Sequence, residues 1–212
     1  MTGGLLDALF FVVALIPAMA FHELAHGWVA VRLGDPTPRL MGRLSLDLRK
    51  HVDPFGTFVV PVLLLLPVLF GRPGFAFGYL KPMPIRRDQL TNPDQQTTWV
   101  ALAGIVTNVV LAAVGAVLFR VLGVPVGGAV QRFLFIWVFT NTFMGIVHFV
   151  PVPPLDGSRI LARFLSGRAR EVYESWDPYG ALFILFLLFL IPSPILAIVD
   201  AVVRGVLSLI VG

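Results

Sequence analysis

The first apolar run of the chain, residues 5–33, is long enough to cross a membrane and carries His22-Glu23-Leu24-Ala25-His26 near its end. That combination constrains the fold more than any other feature. Ionisable groups at membrane depth are costly and are functional by default. Two histidines four residues apart on a helix project from one face, so both imidazoles can bind one zinc ion. Glu23 lies between them in sequence and can reach water at that metal as a general base. The plain alternative is a pair of hydrogen-bonded core histidines. No basic stretch precedes the run, which reads as a retained span and not a cleaved signal.

Composition agrees with a membrane setting. Of 212 residues, 57% are hydrophobic and 13% charged, and the mean hydropathy is +0.87. A soluble domain carries about 25% charged residues. The net charge of +4 comes from 16 Lys and Arg against 12 Asp and Glu, and in such a chain it reports topology. No basic-aromatic patch suggests a nucleic-acid partner. With no cysteine, disulfide and thiolate chemistry are excluded, so a metal must use histidine and carboxylate.

The chain is expected to be an all-α polytopic membrane protein, one membrane-embedded unit over residues 1–212. Its spans are placed at about 5–33, 98–122 and 129–150, with a last apolar element over 179–211 broken at 192–194 by Pro192-Ser193-Pro194. Pro17 lies shortly before His22 and should kink the first span. Partial alternation over Arg39-Leu40-Met41-Gly42-Arg43-Leu44-Ser45-Leu46 predicts a short extended or hairpin segment. Residues 56–70 are apolar but short and are interrupted by Pro61 and Pro67, so they form a re-entrant segment or a short span.

Basic residues favour re-entry. Thirteen of the sixteen lie in loops 32–55, 71–97 and 156–177. If residues 56–70 do not cross, all three loops share the cytoplasmic side by the positive-inside rule. The end of the His-Glu helix then lies on the same side as Asp156.

A catalytic zinc commonly has three protein ligands and one open position. The other histidines are His51 and His148. Asp156 is the best-placed carboxylate, since it follows Pro151, Pro153 and Pro154 and ends on the side of His26; Asp7 is at the far end and Asp200 is in the last apolar element. A helix N-cap is the plain reading of Asp156. Asn108 and Asn141 are either interhelical glue or donors to a substrate strand or oxyanion. His51 and Asp53 read as a surface turn tie, and Lys81 as an interfacial anchor.

Several blocks together carry a resemblance. Phe21-His22-Glu23-Leu24-Ala25-His26, Ala103-Gly104-Ile105-Val106-Thr107-Asn108 and Pro151-Val152-Pro153-Pro154-Leu155-Asp156-Gly157 resemble the site-2 protease family of intramembrane zinc metalloproteases. His51-Val52-Asp53-Pro54-Phe55-Gly56-Thr57 and Gly78-Tyr79-Leu80-Lys81-Pro82-Met83-Pro84 are similar to its compact bacterial branch without a PDZ domain. The resemblance implies a three-helix metalloprotease core reached by water from the cytoplasmic side, to which the broken run 179–211 adds one or two C-terminal helices. It implies one zinc per chain on His22, His26 and Asp156, with Glu23 as base. It also implies a membrane-associated β segment in which Gly78, Tyr79, Leu80 and Lys81 pair with an unwound substrate strand. Three positions depart from the family pattern. Ile105 stands where proline is usual, Ser158 where a second glycine is frequent, and His148 where asparagine is common. His148 could donate to substrate or oxyanion as that asparagine is thought to, or it could reach the metal.

The function expected is intramembrane zinc endopeptidase activity in regulated intramembrane proteolysis. The setting is a multi-pass protein of the bacterial plasma membrane, embedded in the lipid bilayer. Its substrate would be a transmembrane protein or a signal-peptide remnant. A catalytically silent, client-binding relative is the alternative and would leave Glu23 dispensable. A metal transporter would need ionisable residues along a whole crossing path, whereas here they cluster at one level.

Overall fold

The computed structural model describes residues 5–66, 78–123, 127–180 and 192–211. A long helix α1 (Leu5–Arg32) leads into the short α2 (Thr37–Leu40), a 3-10 turn at Leu48–Lys50, and a π-helical turn at Phe55–Val59 continued by α3 (Val60–Leu65). Two more long helices follow, α4 (Pro93–Val121) and α5 (Ala129–Phe149), and then α6 (Asp156–Ala162), α7 (Gly167–Glu174) and α8 (Pro192–Val211).

α1, α4 and α5 pack on one another as a three-helix bundle. Each contains a stretch long and apolar enough to cross a membrane: Leu9–Arg32, Pro93–Val121 and Ala129–Phe149. Their outward faces leave Leu9, Val12, Val13, Val106, Val110, Val114 and Val117 exposed, as helices immersed in hydrocarbon would. Their inward faces are built on small residues, including Ala14, Ala18, Gly104, Ala112 and Ala116. Small residues let the backbones approach closely where lipid supplies no hydrophobic drive for helix pairing. At Gly115 an added Cβ would run into the Trp137 ring and lie 3.1 Å from Val138.

The ends of the bundle differ. At one, Asp7 at the start of α1 is ion-paired to Arg132 at the start of α5, at 2.6 Å. At the other, the three basic segments meet. Arg43 Nη2 donates to Lys81 O at 2.7 Å, Arg86 N donates to Asp35 Oδ2 at 2.7 Å, and Arg87 pairs with Glu174 at 2.9 Å. Residues 51–56 and 79–81 run side by side, since Tyr79 N donates to Gly56 O at 3.1 Å and Lys81 N to His51 O at 2.7 Å. Gly56 and Tyr79, which flank the next apolar run, therefore lie side by side. The middle of the stretch between them, residues 67–77, lies outside the described residues, as does 181–191 of the last apolar element.

The expected extended or hairpin segment at 39–46 is corrected. Thr37–Leu40 is a helical turn, because Asp35 Oδ1 accepts from Thr37 N at 2.9 Å and the prolines Pro36 and Pro38 favour a helix start. Gly42, at φ +62°, then turns the chain. The second span also begins earlier than residue 98. Asn92 caps it, accepting from Gln95 N, while Gln96 Oε1 accepts from Asn92 N at 3.0 Å. Residues 78–84 form no helix, and no strand ladder forms among the described residues.

Candidate metal centre

His22 and His26 lie one helical turn apart on the inner face of α1, both buried. Their Nε2 atoms are 2.9 Å apart. Asp156 reaches them from the first turn of α6. The preceding turn carries Pro151, Pro153 and Pro154 and is closed by Val152 N to Val150 O and Leu155 N to Val152 O, at 2.8 and 2.9 Å. Gly157 permits the approach: a Cβ there would collide with the carbonyl oxygens of Phe149 and Val150. Leu155, not Asp156, occupies the N-cap of α6 and makes no side-chain cap bond. The Asp156 carboxylate faces the histidines instead, with Oδ2 3.0 Å from His22 Nε2 and Oδ1 3.3 Å from His26 Nε2.

The hydrogen-bond network assigns the tautomers. His26 Nδ1 faces the Val100 carbonyl at 2.7 Å, which can only accept, so the proton sits on Nδ1. His22 Nδ1 faces Asn108 Oδ1 at 2.7 Å. Asn108 Nδ2 donates to Ala18 O and to Asn141 Oδ1, both at 3.2 Å, which fixes its Oδ1 as an acceptor and places the His22 proton on Nδ1 as well. Both Nε2 lone pairs then point at each other and at a carboxylate. Two imidazole lone pairs 2.9 Å apart, with the two oxygens of one carboxylate 3.0 and 3.3 Å from them, repel unless a cation lies among them. Ligand atoms about 2.0–2.1 Å from a tetrahedral zinc lie roughly 3.3 Å from one another, so the donor set fits zinc in both chemistry and spacing. Outer partners on Nδ1 are what metal-binding imidazoles require for orientation.

Gly104 of α4 makes room for this cluster. A Cβ there would lie 2.5 Å from His26 Cε1 and 2.6 Å from His22 Cε1. His148, on the last turn of α5, completes the surroundings. Its Nδ1 is 3.0 Å from Asp156 Oδ2, and its ring centroid is 4.2 Å from that of His22. A ligand nitrogen of His148 also lies within 4.8 Å of the His22 and Asp156 ligand atoms.

The cluster opens on a cavity of about 940 Å³ lined by Glu23, His26, His148, Asp156, Leu80 and Met83, among others. Glu23 is held there by the backbone: its Oε2 accepts from Met83 N at 2.6 Å. The segment bearing Met83 is anchored through alternate residues, Tyr79, Lys81 and Met83. Tyr79 N, Lys81 N and Met83 N all donate, Tyr79 O accepts from Thr57 Oγ1, and Lys81 O accepts from Arg43. The backbone N–H and C=O of Leu80 and the C=O of Pro82 have no partner among the described residues.

Other expected residues are engaged in the protein's own structure. Asn108 and Asn141 are fully buried; Asn108 uses both amide hydrogens within the bundle, and Asn141 Nδ2 donates to Trp137 O at 3.0 Å. Neither lines the cavity. His51 is not on the surface: it is fully buried, with Nε2 2.7 Å from Ser45 O. Asp53 caps the π-helical turn by accepting from Gly56 N at 2.7 Å. Two contributors were missed, Val100 O and Met83 N. Both are backbone groups, for which no side chain gives a signal.

The chain matches the family model described as Peptidase family M50 over residues 10–130. Two curated relatives carry zinc metalloprotease names. "Putative zinc metalloprotease YwhC" of Bacillus subtilis is 34% identical over 191 residues, covering 86% of this chain and 81% of that protein. "Putative zinc metalloprotease Rip2" of Mycobacterium tuberculosis is 26% identical over 177 residues, covering 83% of this chain and 64% of that protein. No solved structure matches the chain.

Proposed function

Because this chain belongs to peptidase family M50, we propose that it cuts peptide bonds within or near the transmembrane segments of other proteins. Family and relatives make it a membrane zinc metalloprotease; the place of cleavage is the proposal. The observation that carries it is the convergence of two neutral imidazoles and a carboxylate beside Glu23, inside a bundle of apolar helices.

His22, His26 and Asp156 would hold the zinc, which when bound supplies Lewis-acid polarisation of a carbonyl oxygen and a lowered pKa for water. Glu23 takes the proton from water as the water oxygen bonds to the scissile carbon. It returns that proton to the amide nitrogen as the C–N bond breaks. Met83 N–H, bonded to Oε2, orients the base. A transmembrane helix must unwind before its amide can be attacked, and its exposed backbone then needs partners. Leu80 and Pro82 offer free backbone groups beside Glu23, as strand addition requires. Of the residues expected to pair, Gly78, Tyr79, Leu80 and Lys81, this supports the role for Leu80, because the backbone groups of Tyr79 and Lys81 are already engaged within the protein.

The substrate class this fits is a membrane-tethered regulator or a signal-peptide remnant. The meeting of all three basic segments at the Asp156 end supports a plasma-membrane topology with the site reached from the cytoplasm, and with residues 56–70 re-entering. The test is Glu23→Gln beside wild type on a transmembrane reporter, with zinc measured in both. Cleavage falling by about 10²–10⁴-fold with zinc retained is expected. Cleavage at the wild-type rate in the variant overturns the reading. Reporter bound but uncut by the wild type would mark a client-binding protein.

A further inference from the structure

We propose that His148 is a positioning residue for the metal centre: it donates Nδ1–H to Asp156 Oδ2 and so presents Oδ1 as the carboxylate's ligand atom. This rests on the reading that His22, His26 and Asp156 hold zinc.

Three imidazoles surround Asp156, and they are not equivalent. His22 and His26 have their protons committed at Nδ1, to Asn108 Oδ1 and Val100 O, and so cannot also donate from Nε2 while neutral. His148 has no such commitment. Its Nδ1 faces Asp156 Oδ2 at 3.0 Å, and its Nε2 has no partner among the described residues. A nitrogen lone pair at that distance from a carboxylate oxygen would repel it, whereas an N–H donates to it. Among the three rings, His148 is therefore the one free to act as donor.

The consequence is a choice of coordination. A carboxylate can bind zinc through one oxygen or two, and a second oxygen would take the position a catalytic site keeps open. A proton held against Oδ2 disfavours the second contact. Oδ2 also lies 3.0 Å from His22 Nε2, but one of its lone pairs is engaged by His148, whereas Oδ1 faces His26 Nε2 at 3.3 Å with no other partner among the described residues. The same bond ties the last turn of α5 to the first turn of α6, across the proline-rich turn that delivers Asp156. Partners of this kind typically change metal affinity by 10–100-fold when removed.

The test compares the full-length wild type with His148→Ala and His148→Asn, purified in detergent. Zinc affinity is measured by chelator competition, and the coordination sphere by the visible absorption of the cobalt-loaded protein. An asparagine Nδ2 sits at the same branch point as histidine Nδ1 and can make the same donation. Zinc binding in His148→Ala is expected to weaken 10–100-fold, with cobalt bands losing intensity as coordination number rises. His148→Asn should stay within about threefold of wild type with an unchanged spectrum. Affinity within twofold of wild type and an unchanged spectrum in the alanine variant would overturn the proposal. So would equal, complete loss of metal in both variants, which marks a direct ligand. If the alanine variant does not fold, the asparagine variant decides, since a ligand role predicts that it fails. Loss of zinc on His22→Ala, measured alongside, tests the ligand reading separately.

Discussion

Two polar clusters lie close together in this protein and use contacts of nearly the same length. Inside the bundle, His22 meets Asn108 and His26 meets Val100 O, each at 2.7 Å. At the mouth, Arg170 meets Asp94 at 2.7 Å and Arg87 meets Glu174 at 2.9 Å. The inner set is buried and made of neutral rings and amides; the outer set is charged, and the Asp94 side chain is 55% exposed. In the interior a lost partner leaves a desolvated group with nothing to replace it. At the mouth, water and salt replace it at once. Contact length therefore says little about consequence, and substitutions in the two places should separate by orders of magnitude.

The largest effect is expected at Gly104. Its added Cβ would lie 2.5–2.6 Å from carbons of the His22 and His26 rings and 2.6 Å from His26 Nε2. The rings cannot swing away without breaking their Nδ1 bonds. Gly104→Ala should weaken zinc binding roughly 100-fold or more and depress cleavage at least as far, because a displacement of about 1 Å at a reacting centre costs about that much. Chelator competition checks it. Zinc affinity within threefold of wild type would show that the interior yields more than the comparison allows.

Next comes Asn108→Leu. It removes the acceptor for His22 Nδ1–H and the donor to Ala18 O and Asn141 Oδ1, at a fully buried position. Zinc affinity should fall about 10–100-fold, with a loss of stability of about 1–3 kcal/mol for each buried group left unpaired. Asn108→Asp keeps the acceptor and should recover part of the affinity but not the stability. Thermal melts of the metal-free proteins separate the two effects. If Asn108→Leu and Asn108→Asp bind zinc alike, Asn108 acts only between helices.

How much of this was legible follows the same division. α1, α4 and α5 could be read from apolar length, because a membrane span must satisfy every backbone group within itself. Their ends were harder to read. α4 begins at Pro93 because Asn92 and Gln96 cap it, and that signal lies outside the apolar run. Arg39–Leu46 alternates as a strand would, but the Asp35 turn and the prolines beside it start a helix instead. At the site, His22, Glu23, His26 and Asp156 were visible as residue types with a side assignment, and the structure brings their atoms together. Roles were less visible: Asn108 and Asn141 carry amides suited equally to substrate or to each other, and only packing separates the two. Val100 O and Met83 N were illegible, since each residue has such groups and only the fold chooses which are used.

The smallest effect is expected at the mouth, from Arg170→Ala. Arg170 bridges Asp94 on α4 and Glu174 on α7, at 2.7 and 3.0 Å, so its loss removes two ion pairs. Exposed pairs contribute less than about 1 kcal/mol each, so the melting temperature should move by a few degrees at low salt, and less at high salt as screening takes over. The pH dependence has a definite sign. Burial pushes the Glu174 carboxyl up, but hydrogen bonds from Arg87 and Arg170 outweigh it and hold the group below its ordinary value. A lowered folded-state pKa means the contribution is complete above the unfolded value, near 4.3 for glutamate, and fades as pH falls through the folded one. The wild-type advantage over Arg170→Ala should therefore be flat from neutral pH down to about 5 and shrink below that. Melts across pH at two salt concentrations measure it. An advantage of several kcal/mol that ignores salt would place this cluster with the interior and erase the distinction between them.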